Sequence, residues 1–227
     1  MLDELAHAGP EHLDEAFVEG YDRKQGYPEA GEDLAILEAA GLGTQATVVD
    51  FAAGTGQFAL PAARRFGRVV AVDVSPVMIR MLEERAAERG LTNLSCVRAG
   101  FLSYVHEGDP ADAIYTRNAL HQLPDFWKAM ALHRMASLLR SGGLVRIHDL
   151  IYDFEPSQAE ERLRHWMAHA VTDPSAGYTA ADFAEHIRTE HSTFRWLFEP
   201  MLEAAGFEIV TVAFGGSTYG AYTCVKR

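Results

Sequence analysis

The chain has 227 residues, 48% of them hydrophobic and 23% charged, which supplies a sizeable core and is too ordinary a mixture for a disordered or low-complexity protein. Its 20 basic and 32 acidic residues leave a formal charge of −12, which repels a phosphate backbone and removes nucleic acid from the expected partners. No apolar run exceeds four residues, Val69 to Val72 being one, whereas a membrane span needs about 20. The acidic start, MLDELAHAGPEHLDEAF, lacks the basic end and apolar centre of a signal peptide, so no membrane partner and a cytoplasmic location are expected. Cys96 and Cys224 lie far apart in apolar stretches and read as reduced core residues.

Helical spacing runs from Glu11 to Gly20 and from Glu29 to Ala40, with Gly41 and Gly43 as stop signals. The acid runs Glu11 to Glu19 and Glu29 to Asp33 are expected to face solvent. From Ala46 onward, short apolar runs alternate with amphipathic helices. Strands are expected at Ala46–Asp50, Arg68–Asp73, Asn93–Arg98, Asp112–Tyr115 and Leu144–Asp149. Helices are expected after Gly56, at Pro76–Arg89 and at Pro124–Leu139, the last followed by a Ser141-Gly142-Gly143 turn. That alternation predicts an α/β fold with a doubly wound, mostly parallel sheet. Helix Phe194–Ala205 closes at Gly206, and strands Phe207–Phe214 and Tyr219–Val225 follow, joined by so short a link that they must pair antiparallel. The whole reads as one domain, 1–227, with N-terminal helices in 1–45 and a cap inserted at about 154–193.

The most informative stretch is Val48 to Ala59, a strand entering a Gly54-Thr55-Gly56 turn and then a helix. Glycines there let backbone approach a ligand closely. Asp73 ends the next strand, 17 residues beyond Gly56, where an acid can take both hydroxyls of a ribose. A nucleoside site follows, and two cofactors compete for it. Gly54-x-Gly56-x-x-Ala59 formally satisfies the dinucleotide fingerprint, which leaves a nicotinamide-dependent oxidoreductase open. Asp50, however, stands at the lip of the turn, where it repels a pyrophosphate and suits a ligand bearing an ammonium and a sulfonium, as S-adenosylmethionine does.

The motifs Val49 to Gly56, Val70 to Ser75, Ala119 to Leu123 and Leu139 to Gly143, in that order, resemble those of class I S-adenosylmethionine-dependent methyltransferases, in the small-molecule, ubiquinone-biosynthesis-type subgroup. The resemblance implies a Rossmann-like, seven-stranded sheet with an antiparallel last pair, and methyl transfer to an oxygen, nitrogen or carbon atom of a small acceptor. It also implies that Asp50, Ala52, Gly54, Thr55 and Gly56 line the methionine part of the cofactor and that Asp73 binds the ribose. Val74 and Met78 would pack on the adenine, with Gly100, Phe101 and Leu102 on its other face, and Arg117 and Asn118 would sit below the methyl group. Two positions depart from the family. Ala52 stands where the first glycine is usual, a costly choice if that residue needs positive φ. Phe101 replaces the acid that commonly accepts the adenine amino hydrogens. These departures leave open a binding protein that has lost transfer.

Catalytic candidates are His121, after the fourth strand, and His148 and Asp149, ending the fifth, since doubly wound sheets bind ligands at these ends. Each is either a general base for a protonated acceptor or a packing residue. Tyr21, Tyr27 and Trp166 are candidate substrate or cofactor contacts, and equally core aromatics. His165 and His169 share a helical face near Glu185, His186, Glu190 and His191, but without an HExxH pattern no metal is assigned. Monomer and homodimer both remain open.

Overall fold

The computed structural model describes residues 2–9, 13–14, 18, 22, 30–174 and 176–227. Tyr21, Tyr27 and most of the expected helix Glu11–Gly20 lie outside the described residues. A short helix α1 (Glu4–His7) and α2 (Gly31–Ala39) precede β1 (Thr47–Phe51), α3 (Ala59–Ala62), β2 (Arg68–Asp73), α4 (Pro76–Glu88), β3 (Leu94–Arg98) and β4 (Ala111–Arg117). A 3-10 turn (Leu120–Gln122) leads to α5 (Asp125–Leu138) and β5 (Leu139–Tyr152). The remainder is α6 (Ala159–Met167), α7 (Ala180–Thr189), β6 (Thr193–Phe194), α8 (Arg195–Ala204), β7 (Phe207–Gly215) and β8 (Tyr219–Lys226).

The sheet runs β3-β2-β1-β4-β5-β8-β7, with β8 antiparallel to both β5 and β7. Alternate residues of the central strands feed two cores. Val49, Val70, Ile114 and Val145 pack with Leu132, Met135 and Phe198 on one face, while Val48, Val69 and Ala113 pack with Leu34, Leu37, Leu60 and Leu82 on the other. Strands covered on both sides need continuous apolar runs, which is how they were recognised in the sequence. The order reverses between β1 and β4, and at such a switch point a crevice opens outside the carboxyl ends of the strands.

Three local features differ from expectation. An additional two-residue strand, β6, pairs with the end of β5 through Ile151–Thr193 and Tyr152–Phe194. The Ser141-Gly142-Gly143 turn lies within the span of β5, because Ala111 pairs with Leu139 and Ala113 with Leu144, leaving residues 140–143 bulged from the ladder with Gly142 at φ +70°. Asp33 does not face solvent: it is 3% exposed, on the side of α2 that meets the sheet. Helices α6 and α7 bury no residue fully. Trp166 packs edge-on against Phe183 at 4.6 Å between ring centres. The segment after α7 reaches the sheet ends through His191 N–H, which donates to the His121 carbonyl at 2.7 Å. Both cysteines are free, and burial raises Cys96 to about 11 and Cys224 to about 12. No helix among the described residues is long and apolar enough to cross a membrane.

Candidate functional site

The turn leaving β1 is built on positive φ: Ala52 at +55°, Gly54 at +53° and Gly56 at +90°. Thus the position where an alanine replaces the usual glycine does require the left-handed region, at a cost of about 1–2 kcal/mol. At Gly56 a Cβ would collide with Leu82 and Leu60 side chains in the core beneath α4. Asp73 at the end of β2 fixes the turn from the side: its Oδ2 accepts from Gly54 N–H and its Oδ1 from Ser75 N–H, both at 2.8 Å. Ser75 caps α4 by accepting from Met78 N–H at 3.2 Å, and Pro76 opens the helix, so Val74 and Met78 are delivered to the crevice.

Two adjoining cavities occupy the crevice. The larger, about 700 Å³ including its open mouth, is lined by Asp73, Val74, Met78, Gly100, Phe101 and Gln122 among others. The smaller, about 490 Å³, lies against Asp50, Thr55, Phe58 and Tyr115. Ala52, Gly54, Arg117 and Asn118 border both. Of the expected cofactor residues, Gly56 and Leu102 do not line either cavity. Gly56 faces the core, and Leu102 N–H is taken by the Glu4 carboxylate, with both oxygens at 3.1 Å.

The smaller cavity is bordered by two residues that each keep one unsatisfied polar atom, of opposite kind. Asp50 is 2% exposed, its Oδ2 has no hydrogen-bond partner, and burial beside Asp73 pushes its carboxyl well above the usual carboxylate range. Arg117 Nε is likewise buried without a hydrogen-bond partner, while its guanidinium lies 6.0 Å from the centre of the Tyr219 ring. Asn118 adopts φ +52°, a region Asn tolerates, and its Oδ1 accepts from Tyr219 O–H at 2.6 Å.

The three catalytic candidates line neither cavity. Asp149 accepts from Ala119, Leu120, His121 and Leu150 N–H groups and from His121 Nδ1–H at 2.6 Å. A carboxylate so fully engaged organises the turn after β4. Burial alone would depress His121, but the charge and hydrogen bond of Asp149, followed by Glu190, outweigh it and push the imidazole up to about 9. His148 Nε2–H donates to Asp33 Oδ1 at 2.6 Å, and the same carboxylate accepts from Arg146 Nε–H at 2.8 Å and Tyr115 O–H at 3.1 Å. Trp166 also lies outside both cavities, with His186 5.3 Å from its ring centre.

Several site residues escaped the sequence reading. Glu4 reaches the larger cavity from α1, where burial raises its carboxyl. Asp22 accepts from Thr55 O–H, from Gln57 Nε2 at 2.9 Å and from Arg85 at 2.8 Å, tying the N-terminal segment to the glycine turn. Neither acid belongs to a spacing that announces such a contact. His186 and Glu190 do carry a signal, four residues apart, and Glu190 Oε2 lies 3.0 Å from His121 Nε2.

A methyltransferase-domain family model matches residues 48–143. The chain is 30% identical over 112 residues to an uncharacterized protein of Mycobacterium tuberculosis, a match covering 49% of this chain and 40% of that one. The chain therefore matches less than half the length of the first curated relatives. It is 29% identical over 195 residues to an uncharacterized methyltransferase of Geobacillus thermodenitrificans, covering 80% of this chain and 88% of the relative. Identity to a ubiquinone/menaquinone biosynthesis C-methyltransferase of Proteus mirabilis is 26% over 185 residues, covering 77% and 71%. Among solved structures, the magnesium protoporphyrin IX methyltransferase of Synechocystis with bound S-adenosylmethionine superposes with a TM-score of 0.67 at 14% identity, over 100% of this chain and 99% of that one. The observed sheet is that Rossmann-like methyltransferase fold.

Proposed function

We propose that this chain, which belongs to the class I S-adenosylmethionine-dependent methyltransferase family, moves the methyl group of S-adenosylmethionine to an oxygen, nitrogen or carbon atom of a small-molecule acceptor. The observation that carries the reading is the pair of unsatisfied groups bordering the smaller cavity. Asp50 Oδ2 offers an acceptor and Arg117 Nε a donor, and an α-amino acid zwitterion supplies the complementary ammonium and carboxylate. Buried polar atoms of a native fold are rarely left unpaired without a reason.

Within this proposal Asp73, facing the larger cavity while held by Gly54 and Ser75, takes the ribose hydroxyls. Val74, Met78 and Phe101 flank the adenine. Glu4 brings to this cavity the carboxylate that position 101 lacks. When bound, the cofactor supplies a methyl group made electrophilic by its sulfonium. The chain's contribution is orientation: Arg117, Asn118 and Gln122 border the space left for the acceptor, and correct alignment alone can lower a barrier by roughly 7–11 kcal/mol. No proton-accepting role is proposed for His121, His148 or Asp149, none of which lines either cavity. Residues 154–193 are proposed as the cap that shapes the acceptor side. A dinucleotide in the same place would set two phosphate charges against Asp50 and Asp73.

Calorimetric titration with S-adenosylhomocysteine, against reduced nicotinamide dinucleotide as control, tests this. Micromolar binding of the first, about −8 kcal/mol, with none of the second is expected, and Asp73→Ala should weaken it about tenfold or more, since bonds to charged groups contribute about 1.5–3 kcal/mol. Absence of S-adenosylhomocysteine binding would sink the proposal. Binding without S-adenosylhomocysteine release from the bound methyl donor across supplied acceptor pools would leave a binding protein instead of a transferase.

A further inference from the structure

We propose a second site, independent of the cofactor reading: a divalent transition-metal ion of the zinc class held by His121 Nε2, His186 Nδ1 and Glu190 Oε2. These three atoms converge from different parts of the chain, within 4.8 Å of one another. His121 stands on the turn after β4, His186 in the last turn of α7, and Glu190 at the cap of that helix. His121 Nε2 and Glu190 Oε2 are 3.0 Å apart, and His186 Nδ1 faces the same oxygen. Ligands at about 2.0–2.2 Å from a tetrahedral ion stand about 3.3 Å from each other, so the His121–Glu190 spacing already suits an ion and the His186 ring would shift by about an ångström to join it.

The outer contacts decide which lone pairs point inward. His121 Nδ1–H donates to Asp149 Oδ1 at 2.6 Å, so Nε2 is the nitrogen that faces Glu190 and becomes a ligand when a metal displaces its proton. On the other ring, Nε2 of His186 lies 2.8 Å from Ser192 Oγ, which can accept its proton and so free Nδ1 to act as a ligand. A ligating imidazole usually has its second nitrogen fixed in this way by a carboxylate or other acceptor. Between the two rings Glu190 Oε2 is buried and lacks a well-directed hydrogen bond. Two imidazole nitrogens meet one carboxylate oxygen here, and the positive charge that balances it is supplied either by protons on the rings or by a metal ion that displaces them. The pocket is closed on the His121 side, that residue being 5% exposed, and open to solvent on the side of Glu190, whose side chain is 23% exposed. The donor set, two imidazoles and one carboxylate, suits zinc and its neighbours and not magnesium or calcium. The end of α7 adds its carbonyl dipoles, which also favour a cation.

Such an ion would clamp the end of α7 to the turn between β4 and α5. That turn also contributes Ala119, Gln122 and Leu123 to the larger cavity, and the Gln122 amide lies 3.2 Å from His121 Nε2. Metal occupancy would therefore set the wall on the acceptor side without touching the glycine turn.

The test uses the full chain, stripped with chelator, titrated with Zn²⁺ against a competing indicator and with Co²⁺ followed by visible absorption. One equivalent of Zn²⁺ should bind with micromolar or tighter affinity, and Co²⁺ should give the intense bands of a low-coordinate N/O site. His186→Ala and Glu190→Gln should each weaken binding by about tenfold or more, with circular dichroism unchanged. Glu190→Gln preserves side-chain shape should His186→Ala disturb the fold. His165→Ala, which removes one of the exposed pair formed by His165 on α6 and His169 just beyond it, should leave affinity intact. S-adenosylhomocysteine binding, measured alongside, should persist in every variant, so failure here is distinguishable from failure of the cofactor reading. Affinity in the millimolar range, insensitivity to both ligand variants, or loss through His165→Ala would overturn the site; the three side chains would then be a proton-bridged ion network.

Discussion

The acids Asp50 and Asp73, at the ends of β1 and β2, and the acids Asp149 and Asp33, at and beside the end of β5, are treated in opposite ways. At the first pair, Asp50 keeps an oxygen without a partner and Asp73 is fixed by backbone N–H groups while still facing a cavity. At the second pair, Asp149 takes five donors, and Asp33 closes on Tyr115, Arg146 and His148. The first pair, with Arg117 at the end of β4 facing it across the cavity, is prepared for a ligand, while the second has satisfied itself. Charge at a strand end is therefore a poor guide to chemistry until its partners are known. The difference also makes a prediction: substitutions in the second region should cost stability, and substitutions in the first should cost affinity.

The largest effect is expected at Asp33. Removing one partner of a buried ion pair costs about 3–5 kcal/mol, because the remaining charge stays buried; Asp33→Ala would leave Arg146, 5% exposed, without its carboxylate. Urea unfolding should show that loss in the midpoint, with S-adenosylhomocysteine affinity changed less than a few-fold. A loss below about 1 kcal/mol would erase the contrast between the two regions. The same residue sets an acid limb. Burial would raise Asp33, but the bonds from His148 and Arg146 outweigh it and hold the carboxyl at about 2. A depressed carboxylate contributes stability that is complete above its ordinary 3.8 and is lost as pH falls through about 2. The chain should lose about 2 kcal/mol over that window, and Asp33→Ala should flatten the loss.

Asp50→Asn is the reverse experiment. The neutral isostere removes the burial and Asp73 repulsion that raise this carboxyl and keeps an oxygen for Ala59 N–H. Stability should hold or rise, while S-adenosylhomocysteine binding weakens about tenfold, near 1.4 kcal/mol. Retained affinity would mean that the unsatisfied oxygen is not a ligand group, and a fall in stability would place Asp50 with Asp33 and Asp149.

How much of this was legible follows the same divide. Val48, Val69 and Val70 announced buried parallel strands, and the four-residue link after Phe214 left only antiparallel pairing for β7 and β8. The glycine turn was readable because backbone conformation dictates it, and Asp73 because strand length puts it there. His148 and Asp149 stand at strand ends as the sequence suggests, but their partners are not legible there, since Asp33, which binds His148, lies 115 positions away and reads as a solvent-facing helix acid. Glu4 and Asp22 were invisible for the same reason: a carboxylate that reaches across the fold leaves no periodicity. β6 has only two residues, Thr193 and Phe194, below the length at which alternation can be detected.

Ala52 separates backbone from side chain at the site itself. Its φ of +55° is imposed by what surrounds it, since Ala53 N–H donates to Val72 O at 3.1 Å and Gly54 N–H to Asp73 at 2.8 Å. Ala52→Gly relieves about 1–2 kcal/mol of left-handed strain but gives back about 0.5–1 through the freer unfolded chain. A net gain of roughly 0.5–1 kcal/mol, read as a Tm rise of about 2–4 °C per kcal/mol for a domain of this size, is expected. Affinity for S-adenosylhomocysteine should change less than about threefold, because the N–H groups that hold the turn are untouched. If affinity rises much more than stability, the alanine methyl, which borders both cavities, is itself an obstacle to the ligand. If neither changes, the strain at this position has already been relaxed by the neighbouring strand ends.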